Sequence, residues 1–212
     1  MKNCLTVLTA LTLCAAAGTV HAQGSAEAGK NKSATCSACH GTDGNSVNPE
    51  WPSLAGQHAN YLVKQLKAFQ KGQRKNVLMT SQAAGLSEED MADLAAYYAS
   101  QTPTGREADA KLVSLGEAVY RGGAKDTHVT ACIACHGPSG RGNLPAGYPV
   151  VAGQHAKYLE TQLHAYADGN RKSDPGQMMR NIAKVMSDEQ IKAVSSYIQG
   201  LRVRGDLGFL VE

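Results

Sequence analysis

Two short runs in this chain carry residue types able to hold a redox group: Cys36-Ser37-Ala38-Cys39-His40 and, 96 residues later, Cys132-Ile133-Ala134-Cys135-His136. Both have the form C-x-x-C-H, the mark of covalent c-type haem attachment. The spacing has a physical reason. Positions i, i+3 and i+4 of a helical turn share a face, so two thiols can bond the two haem vinyl groups while the adjacent imidazole turns to the iron. Other uses of paired cysteines fit less well. Pairs that share one zinc ion usually stand about 15–20 residues apart. Disulfides within the pairs would leave both adjacent histidines unexplained. A thioredoxin-like redox pair belongs beside a βαβ unit, and the sequence has no Val/Ile-rich strands.

An internal repeat supports the haem reading and picks the residue for the opposite side of each iron. Trp51-Pro52, Gly56-Gln57-His58-Ala59, Tyr61-Leu62 and Gln65-Leu66 return 97 residues later as Tyr148-Pro149, Gly153-Gln154-His155-Ala156, Tyr158-Leu159 and Gln162-Leu163. Arg74-Lys75 maps likewise to Arg171-Lys172. Further on, Leu86-Ser87 and Tyr97 fall on Met186-Ser187 and Tyr197, an offset of 100, so about three residues are inserted in the second half. At that offset Met79 falls on Met179, while Met178 and Met186 fall on Leu78 and Leu86, which cannot ligate iron. A lone methionine is ordinarily core filler. Two in register, 39 residues after His40 and 43 after His136, give each half one His and one Met. His58 and His155 also repeat and would give a bis-His haem of lower potential; a helix-start His is more often a surface or interface residue.

The elements that must position these residues are short helices around loops. In the first half, Ser25 to Cys36 reads as an entry helix, His58 to about Arg74 as a second and Ser87 to about Ser100 as a third. Ser87 with Asp90, and Ser187 with Gln190, resemble capping boxes that start the last helix of each half. Met91, Leu94, Ala95 and Tyr98 make an apolar helical stripe, matched by Ile191, Val194 and Ile198. The glycine-rich stretches from Gly41 to Asn48 and from Gly137 to Gly147 read equally as haem-edge loops or plain solvent loops. Arg74-Lys75 and Arg171-Lys172 read as solvated charge, with haem propionates or an acidic partner as their alternative use.

The 212 residues suit one or two domains. With 42% hydrophobic and 18% charged residues a packed core is within reach, yet aromatics are only 5%, which leaves flat apolar bulk to be supplied by a cofactor. A formal charge of +3 is too mild to argue for nucleic acid. Lys2 and the apolar run from Leu5 to Val20 read as a secretory leader cleaved after Ala22, with an uncleaved anchor as the alternative. Leu13 before Cys14 speaks against a lipoprotein signal, and no later run reaches the ~18 apolar residues of a membrane span. The expected division is a leader at 1–22, domains at 23–101 and 110–201, a linker at 102–109 and a tail at 202–212.

The two attachment runs, the paired Pro-x-x-x-Gly-Gln-His motifs, the two late methionines and Arg121-Gly122-Gly123 together resemble the dihaem cytochrome c4 family, over residues 24–201. The resemblance implies an all-α protein of two tandem class I cytochrome c domains related by pseudo-twofold symmetry, with two covalently bound haem c groups per chain. It implies Cys36, Cys39, Cys132 and Cys135 as thioether anchors, His40 and His136 as proximal ligands, and Met79 and Met179 as distal ligands. In similar cytochromes a Pro carbonyl holds the proximal imidazole, a role open to Pro52 and Pro149. The implied function is a periplasmic carrier of single electrons, not an enzyme, working with redox proteins such as a quinol–cytochrome c reductase and a terminal oxidase. No nucleic acid is involved, and peripheral contact with the membrane stays open. The alternative is an electron-accepting subunit of a periplasmic dehydrogenase; a dihaem peroxidase would need an exchangeable iron position, and both halves offer Met.

Overall fold

The computed structural model describes residues 24–202, so the expected leader and nearly all of the tail lie outside the described residues. The first half contains α1 (Ala26–Lys32), α2 (Ala34–His40), α3 (Ala59–Gln70), α4 (Val77–Ala84) and α5 (Glu88–Ala99). The second contains α6 (Val113–Gly122), α7 (Ile133–His136), α8 (Ala156–Ala167), a 3-10 turn at Pro175–Gln177, α9 (Met178–Ala183) and α10 (Asp188–Gly200). Among the described residues there is no strand, only isolated antiparallel bridges.

Two helix expectations change. The entry helix is interrupted at Ser33, whose hydroxyl and amide both bond the Lys30 carbonyl, so the side chain competes with the helical ladder there. The second helix stops at Gln70 rather than near Arg74, because Gly72 turns left-handed at φ +66° and the Arg74 amide folds back onto the Ala68 carbonyl. Both capping boxes are present, at Ser87/Asp90 and Ser187/Gln190.

The core of each half lies on its last helix. Met91, Leu94, Ala95 and Tyr98 of α5 are buried, as are Ile191, Val194 and Ile198 of α10. Each large aliphatic side chain so covered stabilises by about 1.5–3 kcal/mol. The first helix of each half crosses the last one at a glycine. A Cβ at Gly29 would stand 2.0 Å from the Asp93 carbonyl oxygen, and one at Gly116 would stand 2.3 Å from that of Ala193. Gly29 and Gly116 are therefore structural counterparts, although 87 residues separate them rather than 96 or 97. The nine extra residues of the second half form a turn before Cys132, closed by the Ala124–Val129 bridge.

Tyrosine hydroxyls fasten the loops that follow the attachment runs. In the first half Tyr97 of α5 donates to the Thr42 carbonyl at 2.7 Å. In the second, the donor to Gly137 at 2.6 Å is Tyr120, which sits on α6 instead. The Tyr197 ring packs tilted against Tyr120, and its hydroxyl accepts from Arg121.

The halves meet through reciprocal bonds. Gln154 accepts from the Ser53 amide and donates to its carbonyl, both at 2.9 Å; Gln57 does the same to Val150, at 3.0 and 2.8 Å. The extended segment 102–109 is fastened to both sides by Arg106, which donates to the Ser46 and Gly153 carbonyls and to the Ser53 hydroxyl.

Candidate functional site

Helix α2 carries Cys36, Cys39 and His40 on successive positions of one face, and ends at once because Gly41 takes φ +81°. His40 is only 6% exposed, and its Nδ1–H donates to the Pro52 carbonyl at 2.8 Å. In the second half α7 is a single turn, and His136 Nδ1–H donates to the Pro149 carbonyl at 3.0 Å. A carbonyl can only accept, so each ring carries its proton on Nδ1 and leaves the Nε2 lone pair for a metal. Burial holds both imidazoles below their usual pKa, which keeps them neutral as ligation requires.

The four cysteines are half-buried and unpaired. Burial pushes the Cys36 thiol up and that of Cys132 to about 11. Neither has the depressed pKa of a redox-active thiol. Among the described residues no cluster of three or more His, Cys, Asp or Glu could hold an ion, so the shared-zinc arrangement is not formed. Two thiols on one face with a neutral, carbonyl-oriented imidazole beside them fit a covalently attached haem at each run.

Met79 and Met179 occupy equivalent places. The Asn76 side chain caps α4 by accepting from the Met79 amide at 2.9 Å. Met79 is half-buried, although Val77 and Leu78 just before it are exposed. Met179 is half-buried too, whereas its neighbour Met178 is exposed and lies 3.9 Å from the Tyr148 hydroxyl. The offset of 100 is carried by Ala83 and Ala183, each almost fully buried. The insertion is the Pro175–Gln177 turn, which α4 lacks. The other repeated histidines stand at the boundary between halves: His58 and His155 open α3 and α8, and His155 spends its Nε2 on the Ser46 carbonyl at 2.8 Å.

One expectation is corrected. Arg74 and Arg171 are not solvated; they are 8% and 4% exposed and lie between the halves. Each guanidinium packs over a ring of its own half, Phe69 for Arg74 and Tyr166 for Arg171. Each also donates across the boundary, Arg74 to Tyr158 and Gln162, Arg171 to Tyr61 and Gln65. Charge suggested solvent, but a planar donor with a ring to stack on and neutral oxygens to bond is stable when covered. Sequence reasoning assigned no role to Tyr61, Tyr158, Gln57, Gln154 or Arg106. The signal for the tyrosines and glutamines was the repeat itself, which preserves polar residues that no ligand role claims; Arg106 lies in the linker, outside the repeat, and had no such signal.

Duplicated attachment turns, oriented imidazoles and registered thioethers in a two-half helical frame define a dihaem c-type cytochrome, an electron-transfer protein rather than an enzyme. The family model described as cytochrome c matches residues 26–102 and 117–202. Cytochrome c4 of Azotobacter vinelandii is 47% identical over 194 residues, covering 87% of this chain and 92% of that relative. A thiosulfate dehydrogenase electron acceptor of Stutzerimonas stutzeri is 39% identical, covering 81% of each chain. The crystal structure of reduced recombinant cytochrome c4 from Pseudomonas stutzeri superposes with a TM-score of 0.82 at 45% identity, covering 84% of this chain and all of that one. The chain belongs to the cytochrome c4 family and carries two covalently bound haem c groups.

Proposed function

We propose that Cys36, Cys39, Cys132 and Cys135 form the thioether anchors, that His40 with Met79 and His136 with Met179 hold the two irons, and that domains at 23–101 and 110–201 flank a linker at 102–109. The protein then moves single electrons in the periplasm from a donor such as a quinol–cytochrome c reductase toward a terminal oxidase. The observation that carries this reading is the twice-built pairing of an Nδ1-anchored His with a half-buried Met in register. Export rests on the leader-like residues 1–22.

Bound haem would supply a one-electron couple, and a His and a Met held to each iron would leave no coordination position for substrate. The chain does the rest. Pro52 and Pro149 fix the imidazole planes, Tyr97 and Tyr120 hold the loops after the attachment turns, and the thioether of Met raises the potential relative to a second nitrogen ligand. No helix among the described residues is long and apolar enough to cross a membrane.

Visible spectroscopy with haem quantification on the exported protein tests the ligands: two haems per chain and a far-red sulfur-to-iron band are expected. Fewer haems, or no such band, would refute the assignment. Oxidation of the reduced protein by oxidase-containing membranes tests the direction of transfer. A second reading, acceptor for a periplasmic dehydrogenase, is favoured by the relatives named thiosulfate dehydrogenase electron acceptor. Copurification with a dehydrogenase, and no oxidation by the membranes, would select it.

A further inference from the structure

The segments that lead into Met79 and Met179 are clasped to one another. Arg74 and Arg171 form an antiparallel bridge, and the Lys172 amide donates to the Gln73 carbonyl at 2.7 Å. The side chains then cross. Arg74 reaches the Tyr158 hydroxyl at 2.5 Å and Gln162 Oε1 at 2.8 Å; Arg171 reaches the Tyr61 hydroxyl at 2.7 Å and Gln65 Oε1 at 3.0 Å. Gln65 and Gln162 also accept from the arginine of their own half, at 3.1 and 2.9 Å, so each amide oxygen bridges both guanidiniums. Among the described residues no carboxylate lies within ion-pair distance of either arginine.

A covered guanidinium must keep its hydrogen bonds or move to water. Arg74 is two residues before Asn76, whose side chain caps α4 at Met79, so movement of Arg74 would pull the cap with it. On the other side, Arg171 is three residues before Asp174, whose carboxylate accepts from the Arg180 amide and Nε beside Met179.

We propose that each methionine loop is positioned by the opposite half: Tyr158 and Gln162 hold Met79 where its sulfur can ligate, and Tyr61 and Gln65 do so for Met179. These four are positioning residues, and the inference rests on the ligand assignment above. It makes the two haems interdependent, since loosening the clasp loosens sulfur at both.

The test uses the full-length dihaem protein with imidazole as a competing iron ligand. In a Met179→Ala background the far-red band reports Met79 alone. There Tyr158→Phe is expected to raise the apparent imidazole association constant at that haem about tenfold, the effect of losing one hydrogen bond to a charged group. Tyr61→Phe is expected to do the same for Met179 in a Met79→Ala background. Arg74→Lys, which keeps the charge and loses the fork, should act like Tyr158→Phe and serves if the tyrosine variant folds poorly. Imidazole constants within twofold of the parent for Tyr158→Phe and Arg74→Lys, with the band intact, would overturn the proposal. A band already missing in the Met179→Ala parent would instead remove the ligand assignment, and the proposal with it.

Discussion

Replacing Gly116 by Ala tests the helix crossing behind the second attachment site. The new Cβ would lie 2.3 Å from the Ala193 carbonyl oxygen, 2.6 Å from Tyr197 Cβ and 2.9 Å from the Ala193 carbonyl carbon. None of these atoms is the free end of a flexible side chain, so α6 and α10 must part by about 1 Å to restore ordinary contact, a gap that forfeits up to half of each affected dispersion well. Overpacking of this kind costs about 1–3 kcal/mol, and backbone obstacles place it near the upper end. Alanine recovers up to about 1 kcal/mol over glycine through helix propensity. The net loss is then about 2 kcal/mol. At roughly 4–8 °C per kcal/mol for a domain of this size, the second half should melt about 8–16 °C lower. Gly85→Ala is the control. No atom lies within 4 Å of its added Cβ, its φ of −92° suits any residue, and its counterpart is the half-exposed Val185. Thermal unfolding followed by circular dichroism and by each far-red band should show Gly116→Ala destabilised and Gly85→Ala unchanged or slightly stabilised. Equal melting of the two variants would refute the close-approach argument.

Each of Met79→Ala and Met179→Ala should remove about half of the far-red absorbance and lower the potential of the affected haem, as redox titration would reveal. A full band in either variant would reassign that ligand. Arg106→Ala removes donors to Ser46, Ser53 and Gly153 and should loosen the halves by about 1.5–3 kcal/mol; limited proteolysis within 102–109 should become faster, and an unchanged digestion rate would count against the clamp. Burial holds His155 below its usual pKa, with nearby Arg106 adding to the depression and the Ser46 carbonyl opposing it. The unfolded chain therefore takes up this proton first, so its contribution to stability is complete above the ordinary His pKa and is lost as pH falls below it. His155→Gln should flatten the pH dependence of unfolding between about pH 8 and pH 5; an identical slope would place the titrating group elsewhere.

The fold was legible where periodicity and covalent chemistry act locally. The stripe of α5 and α10 and both capping boxes follow from residues close in sequence, whereas the histidine–proline pairing was open in the residues alone and was suggested by the family resemblance. What escaped depends on tertiary partners. Nothing in the pattern around Arg74 says that Tyr158, 84 residues away, receives its guanidinium. The break at Ser33 turns on a single hydroxyl bond, and α4 carries no clear apolar stripe because Val77 and Leu78 face outward. The equivalence of Gly29 and Gly116 was hidden by the nine-residue turn, which shifts the register of the first helix against everything after it.

The tyrosines show what duplication permits. The loop after each attachment turn needs one phenol to keep it in place, and the two copies recruit that phenol from different helices, α5 through Tyr97 and α6 through Tyr120. With Tyr120 in that role, Tyr197 bonds Arg121 and Glu117 instead. A chimera assembled from the entry helix of the first copy and the last helix of the second would place Ser33 where Tyr120 belongs, and it would also lose Arg121 and Glu117, which leaves Tyr197 without its present partners. The loop of such a hybrid would then have to be fastened by Tyr197, as Tyr97 does in the first copy, so the phenol that holds each loop is decided by which entry helix stands beside it.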